Sequence, residues 1–179
     1  YGFDFHTMYG LPYWVEDACY QFSLREIEDD LEQPTAELMA LCLEVVARAA
    51  RDDEVLASLA LPEPWWQPVR DSWLRRDPAL YARFDLSYHG AGSPAKLLEC
   101  NGDTPTSLYE SAFFQWLWLE QALAQGLIPA GADQFNSIQE AVIEGFAAFR
   151  PGLDRRVAPP YGGGLLHLAC VKDNNEDLG

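Results

Sequence analysis

Basic side chains are scarce in this chain. Twelve lysines and arginines stand against 28 aspartates and glutamates, a net charge of −16 with a sequence pI near 4.3. Such a charge repels nucleic acid and anionic lipid at long range, and it suits a polyamine or other cationic amine as a guest. No apolar run reaches the roughly 20 residues that a membrane-spanning helix needs. Cysteine is sparse as well. Cys19, Cys42, Cys100 and Cys170 are dispersed, with neither C-x-x-C spacing nor a companion histidine pattern, which argues against zinc or a redox centre. With no leader in sight, reduced thiols in a cytoplasm are the expectation. The three histidines are isolated: His167 reads as a core group and His89 as a loop residue.

What is present suffices for a folded domain. A chain of 179 residues buries roughly 70% of its unfolded surface. Ser23 and Glu26 have capping-box spacing, and Leu24, Ile27 and Leu31 form a helical stripe that Pro34 is expected to interrupt. From Thr35, the positions Leu38, Leu41, Cys42, Val45 and Ala49 fit one face of a longer helix ending near Asp52 and Asp53. The prolines between Leu61 and Pro68 predict irregular structure until about Val69, then a short helix to Arg76. A helix is expected from Pro105 to about Ala124, with Leu108, Ala112, Trp116 and Leu119 on one face. Ser137 and Glu140 suggest a second capping box, opening a helix whose buried face is Ile138, Val142, Phe146 and Phe149. The fold class is therefore mixed α/β (α+β). It is mainly helical over 1–80, a hairpin over 81–103, helical over 104–150, a flexible Pro/Gly-rich passage over 151–164, and a strand and cut end over 165–179. Both termini look cut.

The chemistry concentrates in the hairpin. Arg83-Phe84-Asp85 and Glu99-Cys100-Asn101 lie on two predicted strands joined by the turn-rich His89 to Pro94. Alternation puts Arg83 and Asp85 on one face, and Glu99 and Asn101 on one face of the second strand, with Cys100 opposite. Two carboxylates and an amide oxygen suit Mg²⁺, and an arginine fork suits a phosphoryl group. Thr104-Pro105 reads as an N-cap and first helical residue, whose positive end favours an anion nearby. The same R-x-D and E-x-N pattern also fits a surface ion-pair ladder, and Thr104 and Thr106 also read as ordinary caps.

These residues, with the opening Tyr1 to Gly10, Pro12-Tyr13-Trp14, Glu16-Asp17, Leu97-Leu98-Glu99, Asp103 to Glu110, Phe113 to Trp116 and Asp133 to Ser137, resemble the glutathionylspermidine synthase family of ATP-grasp amide ligases. The resemblance is to the front portion of stand-alone members without an amidase domain, a helix-rich pre-ATP-grasp region. It implies ATP and Mg²⁺ as cofactors and an acid joined to an amine through an acyl phosphate. By the same resemblance Arg83 is catalytic and contacts the transferring phosphate, Asp85 joins it in nucleotide binding, and Asp85, Glu99 and Asn101 hold Mg²⁺. Thr104 and Thr106 would lie along a carboxylate or thiol-peptide substrate; they stand where the synthetase proper has serines. The nucleotide-clamping lysines belong to a missing C-terminal ATP-grasp segment, so the fragment alone is expected to be inactive. The competing reading, from another class, is a non-catalytic acidic domain that binds a peptide or protein partner through the aromatic surface around Trp116.

Overall fold

The computed structural model describes Phe3 and residues 6–102 and 105–149. The chain divides into two compact units, one from residues 22–103 and one from 1–21 with 104–179. Within the described residues the fold is mixed α/β, with several helical segments and two small antiparallel hairpins. None of these helices is long and apolar enough to cross a membrane. The strand expected at 165–179 and the passage at 151–164 lie outside the described residues.

In the first unit the Ser23/Glu26 capping box forms. Ser23 N–H donates to Glu26 Oε2 at 2.8 Å, and Glu26 N–H donates to Ser23 Oγ at 3.2 Å. Pro34 does not interrupt the helix it opens. A wide π-type stretch, Glu26–Glu32, runs straight into α1 (Gln33–Ala49), with Gln33 N–H bonding Glu28 O five residues back. Proline has no N–H for the carbonyl four residues before it, here Asp30. The Ala95 N–H takes that carbonyl instead, at 3.0 Å, so the proline sits in the chain without stranding an acceptor. On α1, Ala49 is buried and Cys42 half-buried, but Leu41 and Val45 are exposed, so the covered stripe is narrower than expected.

Two further differences concern helix starts. Asp52 caps α2 (Asp53–Ser58) by accepting from Glu54 N–H, and α2 places Leu56 fully in the core. Beyond the 3-10 turn Glu63–Trp65, α3 (Trp66–Arg75) begins before Pro68. The first turn of a helix tolerates proline because its N–H groups have no helical partner anyway.

In the other unit, β1 (Thr7–Met8) and β2 (Leu11–Pro12) close over a two-residue turn, Tyr9 and Gly10, both at positive φ. The next helix starts at Leu108 rather than Pro105, after Ser107 at φ 65°. It passes through a π stretch, Glu110–Phe114, into α4 (Gln115–Ala124). An inserted residue turns the following side chains by about 100°. Phe114, Leu119 and Ala122 are buried, Leu119 as expected, while Trp116, expected on the same face, is 40% exposed. The chain ends its described part in α5 (Ile138–Phe149), where Asn136 Oδ1 accepts from Ile138 N–H at 3.4 Å in place of the expected Ser137/Glu140 box.

Candidate functional site

The hairpin of β3 (Ala82–Ser87) and β4 (Lys96–Gly102) carries the predicted donors, and its register is explicit. Arg83 pairs with Asn101, Phe84 with Cys100, and Asp85 with Glu99. Directly opposed residues of an antiparallel pair project from the same face, so Arg83, Asp85, Glu99 and Asn101 share one face and Phe84 and Cys100 the other.

Alternation fails just beyond this set. Leu86 pairs with Leu97, leaving Leu98 as the extra residue of a β-bulge. The bulge returns Leu97 to the apolar face beside Leu86 and turns Leu98 outward, where it is 70% exposed. Bulges bend and twist a strand locally, and this one sits immediately before Glu99.

Side chains refine the picture. Arg83 Nε donates to Asp85 Oδ1 at 3.0 Å with both groups part-exposed, an ion pair along β3 rather than across the two strands as a ladder would have it. The same bond fixes the plane of the guanidinium. Asn101 Nδ2 is buried and meets no hydrogen-bond partner among the described residues. An unpaired buried amide costs about 1–3 kcal/mol, and oxygen and nitrogen of a carboxamide exchange by a simple flip. The amide therefore suits a ligand that supplies what the fold does not. Among the described residues no group of three or more His, Cys, Asp or Glu is placed to hold a metal; the set here has two carboxylates and an amide.

The loop of the hairpin is tied down by residues that the sequence reading passed over. Asp30, 9% exposed, accepts Gly92 N–H on Oδ2 at 2.7 Å. Tyr88 Oη donates to Glu26 Oε1 at 3.1 Å, with Asp30 Oδ2 at 3.4 Å. Lost hydration, then the bond to Glu26, pushes the Tyr88 phenol up to about 12. Gly90 and Gly92 sit at φ 101° and 79°, which the turn requires of them. A proline four residues after an aspartate, with no N–H for its carbonyl, was the available signal. On the opposite face, desolvation and then the nearby Cys42 thiol raise the Cys100 pKa.

Of the other predicted site residues, Thr104 lies outside the described residues. Thr106 stands half-buried in the turn before Leu108, in the unit formed by 1–21 and 104–179. That unit holds an aromatic cluster in which Phe114 meets Phe3, Tyr109 and Phe113 at ring-centroid distances of 4.4, 4.7 and 5.4 Å. Beside it the buried Glu110 accepts from Tyr13 Oη at 2.9 Å.

Compared with known proteins, residues 1–179 match the family described as "Glutathionylspermidine synthase preATP-grasp". A Haemophilus influenzae protein named "Putative acid--amine ligase" is 39% identical over 182 residues, covering 99% of this chain and 42% of that protein. The trypanothione synthetase of Crithidia fasciculata is 32% identical over 78 residues, 44% of this chain and 12% of its own length. The chain thus spans less than half of each of these relatives.

Proposed function

Because this chain belongs to the glutathionylspermidine synthase preATP-grasp family, we propose that it is the front part of an ATP- and Mg²⁺-dependent ligase joining a carboxylate to an amine. The observation that carries the reading is the register: Asp85 faces Glu99 and Arg83 faces Asn101, with Asn101 Nδ2 buried and without a hydrogen-bond partner among the described residues. Asp85, Glu99 and Asn101 are a hard-oxygen donor set of the kind Mg²⁺ takes beside phosphate oxygens. When bound, Mg²⁺ neutralises phosphate charge.

Arg83, oriented by Asp85, directs its planar donors at the phosphoryl group and stabilises charge as it transfers. The acid attacks that phosphorus to give an acyl phosphate and ADP; the amine then displaces phosphate and the amide forms. Thr106, and Thr104 before it, would hydrogen-bond a carboxylate or thiol-peptide acid, and the net charge of −16 favours a cationic amine. The rest of the ATP site belongs to the ATP-grasp segment, and the setting is a reducing cytoplasm.

The test uses the full-length protein and follows ADP release and amide formation. Asp85→Ala, Glu99→Ala and Asn101→Ala are each expected to abolish turnover with the fold intact. Arg83→Lys is expected to lose about a hundredfold in kcat, because a point charge does not reproduce the fork. Metal-dependent ATP turnover surviving in all three alanine variants would falsify the assignment. In that event the exposed edge of Trp116 favours a partner-binding role.

A further inference from the structure

Three of the chain's twelve basic residues gather on one cleft. Where α1 ends and α2 begins, beside α3, Arg48, Arg51 and Arg70 line an open cavity of about 700 Å³ together with Asp52, Asp53 and Glu54. All belong to the unit of residues 22–103. The remaining lining residue is Ala47, so the cleft suits a charged guest rather than the apolar body of most small-molecule ligands. The carboxylates nearby do not neutralise all three cations. Asp52 is committed to the Glu54 N–H, which it caps at 2.9 Å, and Asp53 is paired with Arg70, whose side chain is 23% exposed. Arg48 and Arg51 form no ion pair among the described residues, in a chain where acids outnumber bases 28 to 12. Arg51 N–H donates to Arg48 O at 2.9 Å, so both side chains leave the backbone within one tight turn and open on the same cleft. A cation in the last turn of a helix is favourable by itself, which accounts for Arg48 but not for Arg51.

We propose that this cleft captures a small soluble ligand carrying two or more oxyanion groups, phosphoryl or carboxylate, which bridges Arg48 and Arg51. Guanidinium forks match both kinds of oxyanion in bidentate fashion. Two like charges sharing a cleft repel, and a doubly charged anion between them removes that repulsion while making charge-assisted bonds to each. A single negative charge satisfies one fork and leaves the other. The net charge of −16 repels anions at long range, so capture depends on contact with these two side chains rather than on steering. Arg70 engages Asp53 and so keeps that carboxylate from competing for them. Glu54 lines the same cleft, and its charge opposes the guest.

Anion capture here is independent of the ligase reading, and a site-resolved readout keeps it so. Full-length protein in low salt with EDTA is treated with phenylglyoxal, which modifies guanidinium groups, and mass mapping follows the rate at each arginine. Inorganic pyrophosphate and succinate are the probes. For a site with Kd on the order of 1 mM, about 10 mM pyrophosphate is expected to slow modification of Arg48 and Arg51 about tenfold, while the exposed Arg25 keeps its rate. Protection by pyrophosphate alone assigns a phosphoryl guest, and protection by succinate assigns a carboxylate one. In Arg48→Ala, protection of Arg51 is expected to need about tenfold more probe, and in Glu54→Gln about threefold less. No protection by either probe, or equal protection by sodium chloride at matched ionic strength, overturns the site. Undiminished protection of Arg51 in Arg48→Ala overturns the bridge, and weaker protection in Glu54→Gln overturns a purely anionic guest.

Discussion

Asp30 joins two parts of the chain that sequence keeps apart. Its carbonyl receives Ala95 N–H and its carboxylate receives Gly92 N–H, so one residue holds the middle of the hairpin loop and the end that enters β4. Asp30→Ala removes a charged acceptor and leaves a glycine N–H unsatisfied, an expected loss of about 2–3 kcal/mol in urea denaturation. Asp30→Asn keeps one acceptor oxygen and is expected to lose less. Equal effects would remove the carboxylate from the account. Tyr88 and Glu26 add opposite pH dependences. The folded Tyr88 phenol ionises at about 12 rather than 10.0, so its contribution is complete below about 10 and is lost as pH rises through 12. Glu26 is held below its ordinary 4.5, first by Ser23 N–H and then by the Ser23 and Tyr88 hydroxyls. Its contribution is present above 4.5 and is lost as pH falls through the lower folded value. An alkaline absorbance titration is expected to lose a phenol ionising near pH 12 in Tyr88→Phe; an unchanged late phase would contradict this. Ser23 and Glu26 were legible in the sequence because the box spans three residues. Asp30 was not, because its partners come sixty residues later.

Elements were legible where local pattern governs and illegible where one residue shifts the phase. The hairpin strands and the sharing of a face by Arg83 and Asp85, and by Glu99 and Asn101, follow from alternation and turn chemistry. The Leu98 bulge does not, since Lys96-Leu97-Leu98-Glu99 reads equally well as an uninterrupted strand. Strict alternation would put Leu98 inward with Cys100 and Leu97 outward, the reverse of what is found. Alanine substitutions separate the two. Leu98→Ala is expected to change stability by no more than about 0.5 kcal/mol, and Leu97→Ala to cost about 1–2 kcal/mol for a partly buried leucine. Swapped magnitudes would mean that the register slips in solution. The π stretches at Glu26–Glu32 and Glu110–Phe114 defeated periodicity in the same way, by inserting a residue that no 3.6-residue count includes.

The whole molecule is governed by its surplus of negative charge. Among the described residues, four ion pairs join Arg25 to Asp29, Arg70 to Asp53, Arg75 to Asp77 and Arg83 to Asp85. All carry at least one part-exposed partner, and pairs of that kind contribute about 0–1 kcal/mol each. Salt weakens them, but it also screens repulsion among carboxylates that outnumber the cations enough to leave −16. The two effects have opposite signs, and which wins follows from the count: few attractive pairs are lost, while repulsion acts between every pair of like charges within a Debye length. That length falls from about 30 Å at 0.01 M to about 8 Å at 0.15 M, from spanning a small domain to reaching only near neighbours. The thermal unfolding midpoint is therefore expected to rise between 0.01 and 0.15 M NaCl, by roughly 2–4 °C for each kcal/mol gained. KCl at equal ionic strength should reproduce the rise, because screening depends on charge rather than ion identity. A midpoint that falls steadily with salt would show that the ion pairs, though few and exposed, outweigh the net charge.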